Sequence, residues 1–275
     1  MTDRYAVIGN PIEHSKSPQI HAAFAAQTGQ ELEYGRILGE SERFDEQVRE
    51  FLAGDGRGLN VTVPFKEPAW RLADERSPRA ESAGAANTLI LLPDGRIRAD
   101  NTDGVGLVRD LRENHGVTLE GRSLLLLGAG GASRGVVRPL LEERPARLLI
   151  ANRTASKAIE LARDLSGLGP VEGCGLDALA GRRFDLIING TAAGLQDRVP
   201  DIPDNCLNLH AHGGGVTYDM MYADRPTAFV RWGREHGADL ALDGLGMLVE
   251  QAAESFYLWR GVRPQTGPVI RLLRG

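Results

Sequence analysis

Cysteine is scarce in this chain. Cys174 and Cys206 stand alone among 275 residues, too few and too isolated for a disulfide framework or a zinc site. Long apolar runs are missing as well: none approaches the roughly 18 residues of a membrane-spanning helix. The opening Met1-Thr2-Asp3-Arg4-Tyr5 lacks the apolar stretch of a secretory signal. No block of like charge occurs, and 32 Lys and Arg against 37 Asp and Glu leave a net charge of −5. Nucleic acid and anionic membrane are therefore excluded as expected partners. Repeats and low-complexity tracts are also absent. A soluble cytoplasmic protein is expected, long enough for two domains that each bury a core.

What is present is a coarse alternation of short apolar strands with helical stretches, the pattern of an α/β protein with mostly parallel sheet. Its centre is the run Leu124-Leu125-Leu126-Leu127 followed by Gly128-Ala129-Gly130-Gly131-Ala132-Ser133 and a helical pattern. A buried strand that ends in a glycine turn and feeds a helix aims free N–H groups and the positive helix end at one point, which suits a phosphate. Gly128 permits the tight turn and Gly130 the close approach of a pyrophosphate, while Ser133 is small enough for helix-to-strand packing. Arg147-Leu148-Leu149-Ile150-Ala151 reads as the next strand, completing a βαβ unit. An NAD site places an acid at the end of that strand. This chain instead has Asn152-Arg153-Thr154, then Ser156 and Lys157, a set suited to a 2′-phosphate and hence to NADP(H). The plainer alternative makes Arg153 and Lys157 solvated charges and Thr154 a helix N-cap.

In the first half, Tyr5-Ala6-Val7-Ile8-Gly9 reads as a strand. Ser17-Pro18 reads as an N-cap and first turn for a helix that Gly29 ends. Two hydroxyls, Ser15 and Ser17, thus stand beside a helix start, either as capping groups or as a cradle for a carboxylate. His14 and His21 have no acid or cysteine at ligand spacing and read as packing or capping residues. Leu59-Asn60-Val61-Thr62-Val63 reads as a strand stopped by Pro64, with Lys66 just past its carboxyl end, where open α/β sheets do chemistry. A lysine there can exchange a proton with an oxygen that interconverts between carbonyl and alcohol. Asn87–Leu92 and Ile97–Ala99 are strand candidates joined by the turn Pro93-Asp94-Gly95. Asp103 opens a helix carrying Val105, Leu107, Val108 and Leu111, and serves as a cap or first-turn acid whether or not it also faces a cleft.

Several stretches together resemble the shikimate dehydrogenase family, in order and at family spacing. They are Asn10–Pro18, Asn60–Lys66, Gly84-Ala85-Ala86-Asn87-Thr88, Asp100-Asn101-Thr102-Asp103-Gly104, the Gly128 loop, Asn152-Arg153-Thr154, Tyr218–Tyr222 and Asp243–Ala253. The resemblance spans nearly the whole chain. It implies that Ser15 and Ser17 hold a substrate carboxylate, and that Thr62, Asn87, Asp103 and Gln251 bond the ring hydroxyls. Lys66 and Asp103 would flank the reacting oxygen as the catalytic pair, coupled so that a pH profile describes both. Tyr222 would line the substrate cleft. Gly128, Ala129, Gly130, Gly131 and Ala132 would cradle the pyrophosphate, with Asn152, Arg153 and Thr154 on the ribose phosphate and Met220 and Gly244 against the nicotinamide. The implied reaction is reversible NADPH-dependent reduction of 3-dehydroshikimate to shikimate, a step toward chorismate and the aromatic amino acids, with no metal. The alternatives are a quinate or NAD-using relative and a catalytically silent NADP-binding regulator; Arg153, the serine pair, Lys66 and Asp103 speak against them.

The resemblance also implies the architecture. An α/β substrate domain, residues 1–103 and 244–275, would be joined to a doubly wound Rossmann-like NADP domain, residues 104–243, with the C-terminal helix returning to the first. Asp103-Gly104 and Asp243-Gly244 would be the crossings and hinges, in a monomer or homodimer. Phe184–Gly190 reads as a cofactor-domain strand followed by Thr191-Ala192-Ala193-Gly194, where the family often carries serine. Val216–Met220 reads as another strand. His210-Ala211-His212-Gly213 lacks a third metal ligand and reads as a loop. Met247–Trp259 reads as a helix stopped by Gly261, with Met247, Gln251 and Ser255 on one face and Leu248, Ala252, Phe256 and Trp259 as an apolar stripe.

Overall fold

Short strands and helices alternate from the first residues onward in the computed structural model, which describes residues 2–211 and 213–275. The chain forms β1 (Asp3–Gly9), α1 (Ser17–Thr28), β2 (Leu32–Leu38), α2 (Phe44–Ala53), β3 (Gly56–Val61), α3 (Lys66–Leu72), β4 (Glu75–Arg76), α4 (Pro78–Ala83), β5 (Thr88–Leu91), β6 (Ile97–Asp100) and α5 (Asp103–Arg109). These strands build one sheet in the order β2-β1-β3-β5-β6-β4. Its β1, β2 and β3 are parallel, whereas β5 runs antiparallel to β3 and β6. The expected mostly parallel sheet is thus found, with one antiparallel strand, β5, in its interior. The cause is the Pro93-Asp94-Gly95 turn, which is too short for anything but an antiparallel return. Gly95 takes a φ of +85° and donates to the Leu92 carbonyl at 2.9 Å. β3 stops at Val61, two residues before the sequence pattern suggests, and Lys66 begins a helix.

The second sheet comprises β7 (Ser123–Leu127), β8 (Arg147–Asn152), β9 (Val171–Gly175), β10 (Leu186–Asn189), β11 (Val216–Asp219) and β12 (Leu240–Leu242). Its helices are α6 (Gly131–Glu142), α7 (Ala155–Leu165) and α8 (Ala228–Glu235). All pairings in it are parallel, in the order β12-β11-β10-β7-β8-β9. The chain starts at β7, builds outward through β8 and β9, then returns to build outward the other way from β10. This is a doubly wound sheet whose ligand position is the carboxyl end of β7 and β10. The four leucines of β7 are all fully buried: Leu124 and Leu126 enter one core and Leu125 and Leu127 the other. That two-sided burial is why a central parallel strand reads as an unbroken apolar run. Each such leucine contributes on the order of 2 kcal/mol.

Two helices complete the chain, α9 (Leu245–Arg260) and α10 (Gly267–Arg274). Gly261 stops α9 in a left-handed conformation, donating to the Tyr257 carbonyl at 2.8 Å. Val249, Ala252, Ala253 and Phe256 of α9 pack with Ile20, Phe24 and Val269. Phe44, Val48, Leu52, Phe65 and Leu72 belong to a separate core with Leu59 and Val61 of β3. The chain divides into two compact units, Met1–Gly106 with Leu248–Gly275, and Leu107–Met247. It crosses between them inside α5 and inside α9. No described helix is long and apolar enough to cross a membrane.

Candidate active site

The first unit gathers its polar chemistry at the start of α3, the start of α5 and one face of α9. Lys66 occupies the first position of α3 and Asp103 the first of α5, and the Lys66 ammonium donates to Asp103 Oδ2 at 2.5 Å. The carboxylate side chain is 9 % exposed and the lysine 21 %, so water screens this pair far less than a surface ion pair. Asn87 Nδ2 donates to Asp103 Oδ1 at 2.8 Å, to Thr102 Oγ1 at 2.9 Å and to Gln251 Oε1 at 3.1 Å. The Thr102 N–H returns a bond to Asn87 Oδ1 at 2.9 Å. Lys66, Asn87, Asp103 and Gln251 therefore form one connected cluster. Gln251 is not the solvent-facing residue its composition allows; its amide nitrogen donates to the Leu248 carbonyl and its oxygen is aimed at Asn87. Thr62 sits at the end of β3, half-buried, its N–H on the Ile8 carbonyl at 3.0 Å.

The start of α1 departs from the expected register. Helix α1 begins at Ser17 with Lys16 in the cap position, so Ser17 is not the N-cap, and no side chain caps the helix there. Instead Ser15 Oγ accepts the Ser17 N–H at 3.3 Å and lies 3.2 Å from Ser17 Oγ. The two hydroxyls stand side by side at the helix start. His21 of the same helix is buried and stacks on Tyr34 at 4.2 Å with ring planes 5° apart, a packing residue as expected. Burial drives its imidazolium down to about 3. The unfolded chain therefore takes up a proton near pH 6.5 that the folded chain refuses, and stability is lost as pH falls from about 6.5 toward 3. Between pH 6.5 and 5 the cost is about 2 kcal/mol. We expect urea denaturation of His21→Phe at pH 7.5 and 5 to lack this increment; an unchanged acid sensitivity would remove His21 as its source.

The second unit carries the phosphate-type loop. Gly128 has a φ of +101°, and a Cβ on it would come within 3.1 Å of the Gly190 carbonyl, so only glycine fits. Ser133 is buried and donates to that carbonyl at 3.4 Å, packing α6 against β10 as its small size suggests. At Gly130 and Gly131 added side chains would meet open space. Helix α6 starts at Gly131 without a side-chain cap, which leaves its first-turn N–H groups, with those of Ala132 and Ser133, available to an anion. At the end of β8, Asn152 Nδ2 donates to the Thr154 carbonyl at 3.0 Å and shapes the turn. Thr154 occupies the N-cap position of α7 but its hydroxyl caps nothing. Arg153 and Lys157 are exposed and meet no carboxylate among the described residues. These observations fit a pyrophosphate on the loop and a phosphate beside Arg153. Met220 lies directly against Gly244, where a Cβ would fall 2.4 Å from the Met220 carbonyl oxygen.

Thr191 donates to Asn189 Oδ1 at 2.7 Å and its oxygen accepts the Ala193 N–H, so the alanines of that turn have a backbone anchor. Tyr222 is half-buried, its phenol pushed up by burial. It belongs to the second unit, whereas the other expected substrate residues belong to the first. His212 lies outside the described residues.

Sequence reasoning missed part of the first unit's network. Asn60 is buried and donates to Ser255 Oγ at 3.0 Å and Thr88 Oγ1 at 3.3 Å, while Tyr34 donates to Asn60 Oδ1 at 2.7 Å. Arg79 donates to both oxygens of Asp100 at 2.8 and 2.9 Å and to Glu254 at 3.1 Å. Asp100 in turn accepts the Asn101 N–H, fixing the segment that carries Thr102 and Asp103. An asparagine between Leu59 and Val61 in an apolar strand was the readable signal for the first network; the second had none.

A doubly wound sheet with an open glycine loop, in one chain with a half-buried Lys–Asp pair among converging amides and hydroxyls, defines a dinucleotide-binding dehydrogenase. Residues 7–89 match the model of the shikimate dehydrogenase substrate binding domain, 110–196 that of shikimate/quinate 5-dehydrogenase, and 244–274 that of the shikimate 5′-dehydrogenase C-terminal domain. The chain belongs to the shikimate dehydrogenase family. It is 60 % identical to the NADP(+) shikimate dehydrogenase of Methylococcus capsulatus, over 98 % of this chain and 96 % of that one. An Ael1 enzyme from Pseudomonas putida superposes with a TM-score of 0.90 at 47 % identity, covering 99 % of this chain and 98 % of that one. The Thermus thermophilus shikimate 5-dehydrogenase, solved with NADP(H) and shikimate, gives 0.87 at 32 % identity, covering 99 % of both.

Proposed function

We propose that this protein is an NADP-dependent shikimate dehydrogenase, reducing 3-dehydroshikimate reversibly to shikimate. The observation that carries the reading is the Lys66–Asp103 pair, 2.5 Å apart and joined to Asn87 and Gln251 in one cluster. In this reading residues 1–103 with 244–275 bind substrate and residues 104–243 bind the dinucleotide. A cytoplasmic location goes with it.

NADPH, when bound, supplies the hydride that reduces the ring carbonyl. The protein's part is to hold the ring and manage one proton. Ser15 and Ser17 take the carboxylate, while Thr62, Asn87 and Gln251 bond the hydroxyls; Tyr222 is assigned a further contact with the substrate. Lys66 and Asp103 flank the reacting oxygen, giving it a proton in reduction and taking that proton in oxidation. Asp103 also accepts a hydrogen bond from Lys66, and Asn87 holds Asp103 in place. A set of buried and half-buried groups that each expects a hydroxyl discriminates strongly against an analogue lacking one. Gly128–Ala132 offer N–H groups to the pyrophosphate, Asn152, Arg153 and Thr154 hold the ribose phosphate, and Met220 with Gly244 form the wall for the nicotinamide.

The test is the initial rate of oxidation of shikimate and of quinate, each with NADP and with NAD. Fast turnover of shikimate with NADP alone is expected. Preferred turnover of quinate, or of NAD, would move the chain to the other branch of the family; no turnover with intact NADPH binding would make it a silent binder.

A further inference from the structure

Arg36 lies outside every motif that marks the family resemblance, yet it reaches the serine cradle. It sits on the edge strand β2, opposite Val7 of β1, and its Nη2 donates to the Ser15 carbonyl at 2.6 Å. The side chain is exposed, and its guanidinium meets no carboxylate among the described residues. Its neighbours on β2 do not neutralise it, since Glu33 faces Arg4 at 3.5 Å. Of the charged residues in the loop before α1, Glu13 and His14 are exposed and Lys16 half-buried. Burial raises the Tyr34 phenol, and Ser17 and, less strongly, the charge of Arg36 oppose that rise. A permanently charged fork with no carboxylate partner among the described residues thus rests on the backbone of Ser15, whose hydroxyl lies 3.2 Å from that of Ser17 at a helix start. One arm is spent on Ser15, and a guanidinium has five N–H donors.

We propose that Arg36 is the charge of the carboxylate subsite: it fixes Ser15 through its carbonyl and supplies the cation that selects an acid over a neutral analogue. The proposal rests on the shikimate dehydrogenase reading. Hydroxyls alone bind a carboxylate weakly against water, whereas a neighbouring guanidinium makes the interaction charge-assisted and steers the anion over about 20 Å at low salt.

Arg36→Gln and Arg36→Lys test it, with shikimate and its methyl ester as substrates at about 20 mM and about 300 mM salt. Arg36→Gln is expected to raise KM for shikimate at least about tenfold, with kcat falling far less. KM for the ester should stay near the native value. The decline of kcat/KM with salt should flatten in Arg36→Gln and persist in Arg36→Lys. Equal losses on acid and ester would make Arg36 a structural support only and overturn the proposal, as would an unaltered salt dependence. Calorimetric titration with shikimate separates this from the parent reading. A native protein that binds shikimate without turning it over fails as an enzyme, and a tenfold weaker affinity of Arg36→Gln would still support the subsite. Equal affinities of the two proteins fail the subsite alone, and a native protein that binds no shikimate fails both.

Discussion

Replacing Lys66 by methionine is expected to lower kcat for shikimate oxidation by about 10³-fold, within the 10²–10⁴-fold range of a lost general acid or base, with KM changing little. Methionine keeps the apolar stem and removes only the nitrogen. The helix that presents it should survive, because Phe65, the residue before it, is buried and stacked on Phe44 at 4.8 Å, and Gly39 leaves room for the Phe65 ring. The cost falls on Asp103. Its Oδ2 loses the ammonium at 2.5 Å while Oδ1 keeps the Asn87 amide, and a buried carboxylate with half its partners costs about 1–3 kcal/mol. A fall in thermal midpoint should therefore accompany the fall in kcat. Adding Asp103→Asn separates the two, because the neutral amide tolerates the missing ammonium. Stability should recover in the double variant while kcat stays low, since groups that act as a unit are not additive in rate. A decrease in kcat below about tenfold in the single variant would remove Lys66 from the chemistry.

The parts of this protein that were legible are those in which neighbours along the chain decide the outcome. The leucines of β7 announce a strand buried on both faces, the glycines after it a turn, and Gly29, Gly95 and Gly261 each mark a chain reversal that the backbone realises with positive φ. Where a contact joins residues far apart in sequence, local pattern carried no trace of it. Arg79 meets Glu254 and Arg36 meets the Ser15 loop, and each reads in isolation as one more surface arginine. β2 escaped notice because an edge strand with Gly35 and alternate exposure has little apolar signature. The cap at Ser17 was misplaced for a subtler reason. Ser-Pro is a good helix start in either of two registers, and here Ser17 and Pro18 are the first two helical residues while Ser15 receives the Ser17 N–H. Asn60 shows the middle case: an amide inside an apolar strand signals a buried partner, without telling that the partners are Tyr34, Thr88 and Ser255.

Arg153→Asp is expected to reverse the dinucleotide preference, shifting the ratio of kcat/KM for NADP to that for NAD by about 10³. The turn that carries Arg153 is held independently of its side chain, by Asn152 on the Thr154 carbonyl and by the strand pairing of β8 with β9, so the substitution should alter charge and leave the loop in place. Two charge-assisted bonds to a 2′-phosphate are worth about 2–3 kcal/mol, and the aspartate adds repulsion of the phosphate, while it also gives the NAD ribose hydroxyl the acceptor that NAD sites place there. Arg153→Ala isolates the first contribution and should weaken NADP by about 30-fold without improving NAD. Lys157, exposed in the first turn of α7, retains some attraction for the phosphate, so Arg153→Asp combined with Lys157→Ala should go further than either alone. KM for shikimate should not move in any of these variants. If the NADP preference persisted in Arg153→Asp, the arginine would be a solvated surface charge, and the 2′-phosphate would have to be held by the first-turn N–H groups and the hydroxyls of Thr154 and Ser156.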